Sequence, residues 1–120
     1  MQPSERDKAY LWDMLDAAQL ICEFTAEMKY HEYLRDRKLQ LAVERSVEII
    51  GEASRRISDV FKQAHPDIPW RLMIAQRNVL AHEYGEIKQE RMWTLATTHV
   101  PDLMAKLKSL VPPSPPKIEG

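Results

Sequence analysis

Apolar residues recur along this chain at mixed three- and four-residue spacing, the period of helices that bury one side. From about residue 4 to 29 the series runs Leu11, Met14, Leu15, Ala18, Ile21, Cys22, Thr25 and Met28, with Ser4 and Asp7 placed to start the helix. The stretch Lys29 to Asp36 is polar and aromatic, carrying Tyr30, His31, Tyr33 and Arg35, and reads as a connection. Glu27 and His31 would fall on one face if the helix persisted, as a solvated pair or cap. A longer second helix is expected from about Arg37 to Ala64, through Leu39, Ala42, Val43, Ser46, Ile49, Ile50, Ala53, Ile57, Val60 and Phe61. In His65-Pro66-Asp67-Ile68-Pro69-Trp70 each proline disfavours helix at the residue before it, and Pro69 suits the first turn of a third helix. Gly85 can end that helix, and a fourth runs from about Lys88 to Val111 on Met92, Leu95, Ala96, His99, Leu103, Leu107 and Leu110. Pro101 is expected to kink or split it near His99, which is read as a core or kink-satisfying residue.

Four amphipathic helices with short connections predict an all-α, up-and-down four-helix bundle with a kinked last helix. Residues 1–111 form the helical domain, and 112–120, rich in proline, read as a flexible tail with nothing to bury. Gly51 inside the second helix costs about 1 kcal/mol against alanine, so a close helix crossing is expected there. Glu44, Glu48 and Glu52, with Arg45, Arg55 and Arg56 nearby, read as a solvated, ion-paired face and not as a metal site.

Composition narrows the classes. A chain of 120 residues is one domain by size, and three glycines disfavour a turn-rich β fold. No apolar run approaches the roughly 18 residues of a membrane span, and the start has no leader pattern, so a cytoplasmic protein without membrane contact is expected. The single Cys22 forms no internal disulfide and reads as a buried structural thiol. A net charge of −1 gives no global attraction for nucleic acid, so any such field must be local.

The chemistry gathers in Arg77-Asn78-Val79-Leu80-Ala81-His82-Glu83-Tyr84. Leu72, Ala75, Val79 and Leu80 project to one side of this helix and Asn78 and His82 to another, so Arg77 and His82 are expected off the core side. On a straight helix Arg77 lies about 140° from His82, with the small Ala81 between them in projection. Histidine, with a reference pKa of about 6.5, exchanges protons near neutrality, and arginine presents a charged fork to phosphate oxygens. His31, His65 and His99 are isolated and no histidine pair has ligand spacing, so no metal or other cofactor is expected.

The Arg-x4-His-x-Tyr pattern resembles the signature of HepT-like toxins in the HEPN superfamily of helical ribonucleases. The likeness covers about residues 4 to 111 and includes Arg6-Asp7, Trp12-Asp13-Met14-Leu15, Glu48-Ile49-Ile50-Gly51-Glu52-Ala53, His65 to Trp70, Trp93 and Val100-Pro101-Asp102-Leu103. Ala75 and Gln76 depart from the glycine and apolar residue that similar sequences often carry. The resemblance implies the HEPN architecture and a homodimer whose motif helices line a shared cleft. It further implies a metal-independent endoribonuclease toxin of a type VII-like toxin–antitoxin system, cutting tRNA or mRNA to a 2′,3′-cyclic phosphate. Arg77 and His82 would be catalytic, Asn78 supporting, and Tyr84 the residue adenylylated by a minimal nucleotidyltransferase antitoxin. A non-catalytic helical module that binds a nucleotidyltransferase or a nucleotide is the alternative.

Overall fold

The computed structural model describes residues 4–82 and 87–111, and these are helical wherever they are regular. Helix α1 (Glu5–Thr25) starts at Ser4, whose hydroxyl accepts the Asp7 amide at 3.1 Å, and the first-turn carboxylates Glu5 and Asp7 suit the helix dipole. It stops earlier than its apolar spacing predicts. Ala26 is extended and Glu27 takes a left-handed φ of 60°, which ends the helix before Met28 and separates Glu27 from His31. The expected connection contains a one-turn helix, α2 (Tyr30–Leu34), in which the Glu32 side chain accepts the Lys29 amide at 2.9 Å. It exists to seat Tyr33, which is fully buried.

Helix α3 (Arg37–Arg56) is the central element, packed against α1 on one side and against the motif helix on the other. Its buried serines stay satisfied by donating to carbonyls four residues back, Ser46 to Ala42 and Ser54 to Ile50. The expected continuous helix to Ala64 is broken at Ile57, which is extended, and a separate α4 (Asp59–Ala64) follows. The break is held by polar bonds that periodicity does not register. Ser58 caps α4, and the buried carboxylate of Asp7 accepts the Ser58 amide at 3.0 Å and its hydroxyl at 2.6 Å.

The turn carrying Pro66 and Pro69 leads into α5 (Trp70–His82), where the Trp70 indole donates to the His65 carbonyl at 3.0 Å. After the undescribed residues come α6 (Gln89–Thr94), a π-helical turn (Leu95–His99) and α7 (Val100–Lys108), which packs on α1. The proline therefore does distort this segment, one turn ahead of itself: the amide of Val100 bonds to the carbonyl of Leu95, five residues back. The wide turn inserts a residue into the buried stripe, which passes from Leu95 and Ala96 to Val100, Leu103 and Leu107. His99, read as a core or kink-satisfying residue, is consequently exposed and not in the core. Cys22 is half-buried, not sealed in the core, and burial pushes its thiol pKa up. No described helix is long and apolar enough to cross a membrane.

Candidate active site

Arg71, Gln76, Arg77, Asn78 and His82 are spread round helix α5 among its apolar residues, so its core side is not set by hydrophobicity alone. Trp70, Met73 and Leu80 are its buried residues, whereas Ala75 is exposed and Leu72 and Val79 are half-buried. Arg77 stands between Met73 and Leu80 on that buried stripe, which corrects the expectation that it lies off the core side. The reason is in α3. A Cβ on Gly51 would collide with the Arg77 Cβ and lie 2.6 Å from the Met73 carbonyl oxygen, so only glycine lets the two helices cross here. The arginine stem thus packs over Gly51, and its charged end emerges at the surface with about a quarter of the side chain exposed.

There the guanidinium is held from two sides. Arg77 Nη2 lies 3.3 Å from Glu52 Oε2, and Nη1 donates to Asn78 Oδ1 at 3.1 Å. Glu52 also accepts from Arg55 Nη2 and Arg56 Nε, each at 2.9 Å. Hydrogen bonds from Arg55 and Arg56, supplemented by the nearby Arg77 charge, pull the Glu52 carboxyl down to about 2. The ion-paired face expected of the α3 glutamates is therefore real at Glu52, but it reaches across to α5. Glu44 departs from that expectation in its solvation, although it does pair with Arg37 at 3.5 Å. It is buried, accepting the Gln89 amide at 2.8 Å in a chain that continues to the Tyr33 hydroxyl, which donates to Gln89 Oε1 at 2.6 Å.

His82 is exposed in the last turn of α5. The structure therefore brings Arg77 and Asn78 together and places His82 apart, one and a half turns along the same helix and free of hydrogen bonds to them among the described residues. Tyr84 and Gly85 lie outside the described residues. No cluster of potential metal ligands occurs among the described residues.

Gly51 and Glu52 complete the arrangement, and the periodicity of α3 alone does not single out Glu52 as a partner of Arg77. The signal available was their adjacency: a glycine in mid-helix marks where another helix crosses, and the next polar residue borders that crossing. Beside Arg77 opens a groove of about 290 Å³ lined by α1 and α3, with Tyr10, Asp13, Glu48 and Arg56 on its walls. A charged fork fixed by a carboxylate, on the same helix as an exposed histidine, is equipped for a phosphate ester and for proton transfer.

Fold and site together define an all-helical domain with an arginine–histidine motif helix. The family model described as "Ribonuclease HepT-like" matches residues 14–110, and the chain belongs to this HepT-like ribonuclease family. It is 42% identical over 110 residues to "Probable ribonuclease HepT" of Thermococcus cleftensis, covering 92% of this chain and 98% of that protein. It is 38% identical over 106 residues to "Putative RNase MJ1380" of Methanocaldococcus jannaschii, covering 88% and 97% respectively. No solved structure matches the chain at a significant level.

Proposed function

We propose that this chain is the toxin of a type VII-like toxin–antitoxin system, a metal-independent endoribonuclease acting on tRNA or mRNA from a composite site in a homodimer cleft. The observation that carries the reading is Arg77, seated on Gly51, gripped by Glu52 and placed five residues before the exposed His82. In the reaction His82 takes the 2′-hydroxyl proton, the alkoxide attacks the adjacent phosphorus, and the P–O5′ bond breaks. Arg77 balances the charge on the phosphorane, and the leaving 5′-oxygen gains a proton from the second subunit's copy of the motif. One histidine serves the two proton transfers poorly, which is the physical argument for two motifs in one cleft. Asn78 orients the Arg77 fork through the 3.1 Å hydrogen bond.

Tyr84 is the proposed control point. A minimal nucleotidyltransferase antitoxin would transfer AMP from ATP to its phenol oxygen, releasing pyrophosphate, and the added negative charge and bulk beside the motif would compete with RNA phosphate for Arg77. The decisive experiment analyses the ends of RNA cut by purified protein in chelator. A 2′,3′-cyclic phosphate paired with a 5′-hydroxyl supports the reading, and loss of cutting in chelator overturns it. Co-expression with the antitoxin then gives an AMP mass addition on Tyr84 that disappears in Tyr84→Phe, while that variant still cuts RNA. Modification confined to Tyr10, Tyr30 or Tyr33 removes the control-point assignment.

A further inference from the structure

The cleavage chemistry uses only one edge of the groove beside Arg77. Its other walls come from α1 and α3, and they carry a mixed set of groups that a plain phosphate-binding patch would not need. Three guanidinium groups converge on the single carboxylate of Glu52, at 2.9, 2.9 and 3.3 Å, which leaves that end net positive. Further along, the groove is lined by Asp13 and by Glu48, the latter 3.9 Å from Arg45 Nη1, and their carboxyl groups are acceptors suited to hydroxyl and amino hydrogens and unsuited to phosphate. Burial, with Asp16 close by, raises the Asp13 carboxyl above the usual range. Tyr10 adds an aromatic ring with the Arg6 guanidinium 5.8 Å from its centre. The phenol sits among cations, since Arg6 first and Arg56 second draw its pKa down.

Cation, acceptor and aromatic wall occur together in a space of about 290 Å³. That lies at the small end of ligand pockets, which run from roughly 300 to 1,000 Å³, and suits one nucleotide, not a stretch of duplex. Arg77 belongs both to this groove and to the motif helix, so an occupant of the groove abuts the phosphate at Arg77.

We propose that the groove is a nucleotide subsite, seating one unpaired nucleotide of the RNA next to the scissile phosphate. Arg56 and Arg77 take its phosphate, Tyr10 stacks on its base, and Asp13 and Glu48 accept hydrogen bonds from ribose hydroxyl and base amino groups. The proposal rests on the ribonuclease reading for what is cleaved but not for what is bound. It predicts a preference for single strands, because a paired base cannot splay into the groove, and for RNA over DNA, because the 2′-hydroxyl is one of the donors it accepts.

The test uses full-length protein carrying His82→Ala, so that RNA stays intact, and a fluorescent single-stranded RNA followed by anisotropy. Adding Tyr10→Leu weakens binding by about tenfold or more, in line with the usual value of one base–aromatic stack, and Arg56→Gln weakens it by removing a phosphate contact. Tyr10→Phe, which keeps the ring, stays within about threefold of the parent. Asp13→Asn reduces the preference for RNA over the matching DNA. In the protein that keeps His82, Tyr10→Leu raises KM for cleavage more than it lowers kcat. Unchanged binding and KM in variants that melt like the parent overturn the subsite even though RNA is still cut. If the His82 protein cuts no RNA while Tyr10→Leu and Arg56→Gln abolish binding, the subsite stands and the ribonuclease reading falls.

Discussion

Gly51 and Arg77 compete for one space, and the competition decides how α5 lies on α3. Replacing glycine by alanine in a helix ordinarily stabilises by about 1 kcal/mol. Here the added methyl meets the Arg77 Cβ and the Met73 carbonyl, and backbone cannot step aside cheaply. Overpacking costs about 1–3 kcal/mol, so Gly51→Ala should lower Tm and slow RNA cleavage together. A raised Tm with full activity would contradict the crossing. Glu52 gives a second prediction. Its carboxyl is depressed to about 2 from an ordinary 4.5, so its ion pairs stabilise the fold fully above about pH 4.5 and fade as pH falls toward 2. The Tm gap between the natural protein and Glu52→Gln should therefore be constant from pH 5 to 8 and close below pH 4; because the side chain is one-third exposed, added salt should narrow it as well. A gap that widens on acidification would contradict the pairing. The importance of Gly51 was legible in the sequence as a mid-helix glycine needing a crossing partner. The side of α5 that Arg77 occupies was not, because a polar label hides the apolar stem that packs over Gly51.

At the scale of elements, the joint between α3 and α4 depends on a contact far along the chain. Asp7, buried at the start of α1, holds both the amide and the hydroxyl of Ser58, and Ser58 in turn caps α4 by accepting the Phe61 amide at 3.3 Å. Asp7→Ala should cost about 1–3 kcal/mol in denaturant unfolding, and Asp7→Asn less, because the amide oxygen still accepts. Equal, negligible losses in the two variants would show that the joint does not need this bond. Apolar spacing carries on through Ile57, Val60 and Phe61, so the break was invisible to periodicity; it is set by hydrogen bonds between residues 51 apart. The π turn illustrates the same limit. Pro101 marked a distortion in the last helix, and a distortion is there, but relieving it by one extra residue rotated His99 out of the stripe and Val100 into it. Helix identity and most core positions followed from spacing, since the 3.6-residue period is the physical cause of both.

For the whole molecule, a net charge of −1 means that RNA must be drawn by local charge, and the arginines gathered on Glu52 beside Arg77 are the proposed source. RNA affinity should accordingly fall steeply with salt and fall less steeply in Arg56→Gln, by about one unit of log–log slope. An unchanged slope would place the phosphate contacts elsewhere. The proposed composite site also requires two chains: small-angle scattering should give a dimer at working concentration, and a stable monomer would remove the argument from a shared pair of histidines. The central claim, that Arg77 and His82 carry out the cleavage, is tested most directly by single-turnover cleavage of one defined RNA in chelator by the natural protein, Arg77→Ala and His82→Ala. Each substitution should cut the rate by on the order of 10²–10⁴ with the fold intact. Cleavage at the natural rate by either folded variant would contradict it.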